Sequence, residues 1–106
     1  AFDIAPNRYL SWYYLGLLTM DNPEECFKRA IKARPDFPGS YYWLASYYCK
    51  NKNPKESIRY FEEYLSVVKS SPDEVGRIKT ANGFIKEMKR GETDYDVITT
   101  NIIAKK

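Results

Sequence analysis

The chain has 106 residues, 43% hydrophobic and 29% charged, a balance that suits one small folded domain and argues against intrinsic disorder. Its 17 basic and 14 acidic residues leave a formal charge of +3, too mild to argue for nucleic acid or an acidic lipid surface. There is no histidine, which removes the commonest general base and metal ligand, and no apolar run nears the roughly 20 residues of a membrane span.

Residues 1–7, ending in Pro6-Asn7, read like the tail of an earlier helix, so the chain is expected to be a piece of a longer protein. Residues 9–20 then carry apolar side chains at helical spacing, with Trp12, Leu15 and Thr19 on one face and Leu10, Tyr13, Leu17 and Met20 beside it. Asp21-Asn22-Pro23-Glu24-Glu25 ends that helix and starts a second over 23–34. Asn22 can cap it, proline is tolerated at its first position, and the glutamates favour the positive end of its dipole.

Pro35-Asp36-Phe37-Pro38-Gly39-Ser40 makes the next break, before a third helix over 40–51. Asn53-Pro54-Lys55-Glu56 repeats the stop-and-start chemistry and opens a fourth helix to about residue 69, with Ile58, Phe61, Tyr64, Leu65 and Val68 directed inward. Ser70-Ser71-Pro72-Asp73-Glu74 opens a fifth, striped by Val75, Ile78, Ala81, Phe84, Ile85 and Met88, and Gly91 is placed to terminate it. The last stretch, 95–104, is rich in β-branched residues and argues only weakly for a helix.

The elements repeat. Trp12, Leu15 and Gly16 in the first helix correspond to Tyr41, Leu44 and Ala45 in the third, and Pro6, Pro35 and Pro72 lie 29 and 37 residues apart, a period that marks stacked helical hairpins. With Phe27, Ala30 and Pro35 in one copy, and Tyr48, Ser57, Phe61 and Pro72 in the other, the chain resembles the tetratricopeptide repeats. The resemblance implies an all-α, right-handed solenoid of helical hairpins, here about five helices plus the weak C-terminal segment. It divides the single domain into a short repeat (8–36), a second repeat (37–73), a third first-helix or capping helix (74–91) and a C-terminal segment (92–106). The first copy is shorter than the family's usual length of about 34. Pro23 or Ser57 stands where the family has alanine, and Tyr64 where it has a small residue.

Nothing in the chain is arranged for catalysis. Glu24-Glu25 and Glu62-Glu63 point in different directions on their helices, Asp94 and Asp96 flank Tyr95 without a partner, and no glycine-rich phosphate loop, zinc spacing or nucleophile elbow occurs. Cys26 and Cys49 lie in helical, apolar contexts, where a free cysteine acts as a small buried hydrophobe. The expectation is a non-enzyme without cofactor or metal, with the cytoplasm slightly favoured.

The family resemblance implies binding instead, on a concave face lined by the first helix of each hairpin. Those positions are Tyr13, Leu17 and Met20 on the first helix, Tyr42, Trp43, Ser46 and Lys50 on the third, and Lys79, Gly83 and Lys86 on the fifth. Trp12, Phe27, Tyr41, Tyr48 and Phe61 are assigned to the core. The groove would be aromatic at one end and basic at the other, suited to an extended or helical partner segment. The clamp with which some relatives grip an acidic chaperone tail falls on Tyr13, Leu17, Trp43, Gly76 and Thr80, none of which matches. A protein or peptide partner is therefore expected. Self-association is the alternative, and a carbohydrate or nucleic-acid platform is disfavoured because the charge is scattered.

Overall fold

Three prolines mark where helices begin, because the first turn has no use for the N–H that proline lacks. The computed structural model describes residues 8–19, 23–68 and 72–104. Within them lie α1 (Arg8–Leu18), α2 (Pro23–Ala33), α3 (Pro38–Lys50), α4 (Pro54–Val67), α5 (Val75–Lys89) and α6 (Tyr95–Ala104), with no strand among the described residues. The expectations placed on 1–7, Met20, Asn22 and Ser70-Ser71 lie outside the described residues.

Local chemistry explains the boundaries. The Asn53 side chain accepts from Glu56 N at 3.4 Å and caps α4. Gly91 ends α5 with φ +105, and the Glu92 N–H reaches back to the Glu87 carbonyl at 3.0 Å, closing the last turn. The end of α3 uses Lys52 at φ 58, a left-handed position that a side chain adopts at some cost. Asp94 Oδ1 accepts from Asp96 N at 2.9 Å and Val97 N at 3.2 Å, so α6 is capped. The cap, together with complete burial of Ile98, offsets the low helix propensity of its β-branched residues.

Consecutive helices pack on one another, most extensively α1 on α2 and α3 on α4, as two helical hairpins. Small residues permit the close approach within each. A Cβ on Gly16 would come within 2.9 Å of the Phe27 ring. In the second hairpin Ser57, fully buried, donates its hydroxyl to the Ala45 carbonyl at 2.7 Å, which explains how it replaces an alanine there. Tyr13, Phe27, Ala30, Leu44 and Tyr48 form a core joining α1 to α3. A larger core runs from Tyr41 and Tyr42 through Phe61 and Tyr64 to Phe84, Met88 and Ile98, joining α3 to α6.

The first helix is rotated relative to its expected inward stripe. Tyr13 and Gly16 are its buried residues, whereas Leu15 is 47% exposed and Trp12 is half-buried beneath the Arg29 guanidinium, 4.9 Å from the ring. Contact with Phe27 runs through Gly16, so Gly16 faces α2 and its neighbour Leu15 turns outward. Val75, placed in the inward stripe of α5, is likewise exposed at 55%, since it lies in the first turn beyond the packed core.

A matched pair of substitutions tests the close approach. Gly16→Ala is expected to lower unfolding free energy by about 1–3 kcal/mol, because Phe27 is confined by its own core. Gly76→Ala, where a Cβ meets nothing within 4 Å, is expected to raise it by up to about 1 kcal/mol through helix propensity. Urea titration of both variants reads the contrast; equal effects would contradict it.

Candidate functional site

The face of α5 that turns toward α3 and α6 carries small and polar residues at helical spacing: Gly76, Thr80, Gly83 and Glu87. They line a hollow of about 740 Å³, with Lys79 and Lys86 on its flanks, Asp73 and Arg77 near the start of the helix, and Ile102 of α6 at its other end. Lys79 and Lys86 are exposed and neither is ion-paired among the described residues. Two acidic groups nearby, Glu87 and Glu74, are engaged. Glu87 is buried, accepts from Asn101 Nδ2 at 2.8 Å and pairs with Arg90 at 3.3 Å, while Glu74 accepts the Tyr64 hydroxyl at 2.7 Å and approaches Arg77 at 3.9 Å.

Arg77 connects this hollow to α3. Its guanidinium lies 5.6 Å from the Tyr42 ring and 5.9 Å from the Trp43 ring, a cation–π arrangement on two aromatic faces. Tyr42 and Trp43 meet edge to face at 5.2 Å. The indole Nε1 of Trp43 is buried and has no hydrogen-bond partner among the described residues.

The ten residues assigned to a groove by sequence thus separate. Lys79, Gly83 and Lys86 come together along the hollow. Trp43 stands beside it through Arg77, and Lys50, at the end of α3, sets its ammonium 4.9 Å from the Tyr95 ring of α6. Tyr13, Tyr42 and Ser46 are buried, at 7%, 9% and 5% exposure, so the two tyrosines assigned to the groove pack in the core instead. Tyr13 is enclosed by Phe27 and Phe37, and Tyr42 by Phe61, Tyr64 and Trp43, so neither ring is available without unpacking a core. Leu17 is 41% exposed on α1 and does not line the hollow, and Met20 lies outside the described residues.

Sequence reasoning missed Arg77, Glu87 and Ile102. The spacing of Glu74 and Arg77 was a readable signal for an ion pair, but which rings Arg77 covers depends on how α5 lies against α3. A smaller hollow of about 360 Å³ lies between α2 and α4, lined by Lys28, Lys32, Arg59 and Glu63 among others. No group of three or more acidic or cysteine side chains among the described residues is placed to hold a metal ion.

A family model described as tetratricopeptide repeat matches residues 26–59, running from α2 through α3 into α4. Residues 26–59 are similar to a tetratricopeptide repeat. Phe27, Ala30, Tyr41, Leu44, Ala45, Tyr48 and Ser57, the residues that make its hairpin contacts, all fall inside the match. No curated protein and no solved structure matches the chain. Tetratricopeptide repeats are non-catalytic modules that generally mediate protein–protein interaction, so protein partners are implied. No helix among the described residues is long and apolar enough to cross a membrane.

Electrostatics inside the repeat follow from burial. Both cysteines are free and buried, and burial pushes the Cys49 thiol up to about 11, leaving it protonated at neutral pH and a poor nucleophile. Burial, reinforced by its hydrogen bond to Glu24, pushes the Tyr48 phenol up to about 12, and burial with the bond to Glu74 raises that of Tyr64 further.

These tyrosines hold their protons more tightly folded than unfolded. Their contribution is complete below the ordinary tyrosine value near 10 and is lost as pH rises through the raised folded value. The thermal midpoint is therefore expected to be steady from about pH 7 to 9 and to fall between about pH 10 and 12, with a smaller fall in Tyr48→Phe and Tyr64→Phe. An unchanged alkaline slope in both variants would assign it to other groups.

Proposed function

We propose that this chain is a protein–protein interaction module that holds an extended or helical segment of a partner along α5, in the hollow flanked by Lys79 and Lys86. The observation that carries this reading is a large open groove beside two cations that are not ion-paired among the described residues, packed next to the segment that matches a tetratricopeptide repeat. The groove floor is small at Gly76, Thr80 and Gly83, which lets a partner backbone approach, and Ile102 supplies an apolar contact at one end. Arg77, packed on Tyr42 and Trp43, presents a fixed cation near the other. A segment with carboxylates along its edge and an apolar residue toward Ile102 fits this lining, its specificity coming from charge placement and its affinity from burial of the anchor.

The test begins with peptides selected from a random displayed library against the intact chain. Binders are expected to shift the backbone amide signals of Gly76, Thr80 and Gly83, and to weaken at least tenfold, about 1.4 kcal/mol, in the double variant Lys79→Glu, Lys86→Glu. Binders that shift α2 and α4 instead, indifferent to the charge reversals, would place the site elsewhere.

A second reading, self-association through the ends of the helical array, rests on a different surface. Tyr14, Leu15, Leu17 and Leu18 of α1 are 55%, 47%, 41% and 80% exposed, and Ile103 of α6 is 66% exposed. Light scattering across a concentration series is expected to show a dimer or larger species that Leu18→Lys returns to monomer; a monomer at every concentration removes this reading.

A further inference from the structure

The helix α6 lies at one end of the same groove. Ile102 presses on Gly83, where a Cβ would come within 2.8 Å of its side chain, Asn101 donates to Glu87 at 2.8 Å, and the Tyr95 ring stacks on Phe84 at 5.5 Å. Gly83, Glu87 and Ile102 also line the open hollow, so the seat of α6 and the hollow are one continuous track along α5. We infer that α6 is an exchangeable occupant of this track, and that the groove's partner is an amphipathic helix carrying α6-like chemistry. That helix has an aromatic residue followed by branched aliphatics three and seven positions later, as in Tyr95, Ile98 and Ile102, an amide or hydroxyl toward Glu87, and carboxylates toward Lys79 and Lys86. The inference rests on the proposed groove and narrows its occupant to a helix that displaces α6.

Three observations favour exchange. Among consecutive helices α5 and α6 make the sparsest contact. Only Ile98 of α6 is buried, and six of its ten residues, Val97, Ile98, Thr99, Thr100, Ile102 and Ile103, are β-branched, so its helix depends on the Asp94 cap and on docking against α3 and α5. The track is also longer than its occupant: the hollow continues from Gly83 to Asp73, about two further turns of helix, past α6's last contact at Ile102. Charge selects the newcomer over α6. Asp96 is the one charged residue of α6, at its first turn, and α6 offers nothing to Lys79 or Lys86. A helix with carboxylates along that edge gains two ion pairs that α6 does not make.

The probe is a synthetic peptide with the sequence of residues 93–104 followed by four glutamates, added to the intact chain while hydrogen exchange is followed residue by residue. Without peptide, the α6 amides are expected to exchange faster than those of α3 and α4; exchange of α6 only at the global unfolding rate overturns the inference. With peptide, α5 amides 76–84 are expected to slow while α6 amides 98–104 of the chain speed up, the signature of displacement. Slowing in α5 with α6 unchanged overturns displacement yet leaves the groove standing as a binding site. No slowing anywhere overturns the helical occupant, and the library-selected peptides then decide the groove itself. Ile98→Ala in the chain should tighten peptide binding by about tenfold or more, because a larger fraction of molecules has the track open. Binding that is unchanged or weaker in this variant, with α3 and α4 still protected, overturns the inference.

Discussion

Phe61 stands at the middle of a column of aromatic rings that the second half of the molecule depends on. Its ring meets Tyr42 of α3 at 5.8 Å and stacks on Phe84 of α5 at 5.0 Å, and Phe84 in turn stacks on Tyr95 of α6 at 5.5 Å. Four helices are thereby linked through side chains that are flat, stiff and large, each contact adding to the apolar area removed from water. Truncating Phe61, which has no exposed surface, would leave a void touching three helices at once. A chain this short has few alternative ways to build a core, which is why one ring matters so much.

Hydrogen bonds and ion pairs then set the angle at which α5 joins the hairpins. Tyr64 stands where the family has a small residue, and its bulk is absorbed because the ring is fully buried while the hydroxyl reaches Glu74 in the turn before α5. Glu74 faces Arg77 one turn on, and Arg77 lies over Tyr42 and Trp43. The large side chain and the ion pair act together: the Tyr64 hydroxyl holds Glu74 at the start of α5, and Glu74 holds Arg77, whose guanidinium ties that start to the aromatic face of α3. A parallel connection joins the first hairpin to α3, where Tyr48 donates to Glu24 and stacks on Tyr60 at 5.6 Å. The carboxylate expected to be only a capping charge is thus also a tertiary anchor.

The candidate groove follows from the way α6 falls on α5. It covers Gly83, Phe84 and Glu87 and stops, leaving the beginning of the helix bare. Gly76 keeps the exposed stretch flat, and the lysines at its edges are not ion-paired among the described residues. Burial of Glu87 beside this stretch is offset by donors on Asn101 and Arg90, so this carboxylate belongs to the α5–α6 junction rather than to the open site. The candidate groove and the α5–α6 junction are therefore adjacent on one helix face.

Helix boundaries and the hairpin repeat were legible because their causes are local. Proline at a first turn, Asn53 as a cap and Gly91 at a positive φ act within a few residues, and Gly16, Ala45 and Ser57 are small because a neighbouring helix in the same hairpin needs the room. Periodicity also places Lys79, Gly83 and Lys86 on one side of α5. It does not say which aromatic face is covered: Tyr13 and Tyr42 were read as groove residues, and Trp12 as core, from the family pattern, which does not register how far each helix of this chain is turned about its axis. The rotation of α1, the burial of both tyrosines, the placement of Arg77 over α3 and the docking of α6 arise from contacts between residues distant in sequence. The sequence alone determined where the chain would coil and pair into hairpins, because that chemistry is short-range. Only tertiary packing decided which surfaces remained open, because exposure is a property of the neighbours a side chain meets.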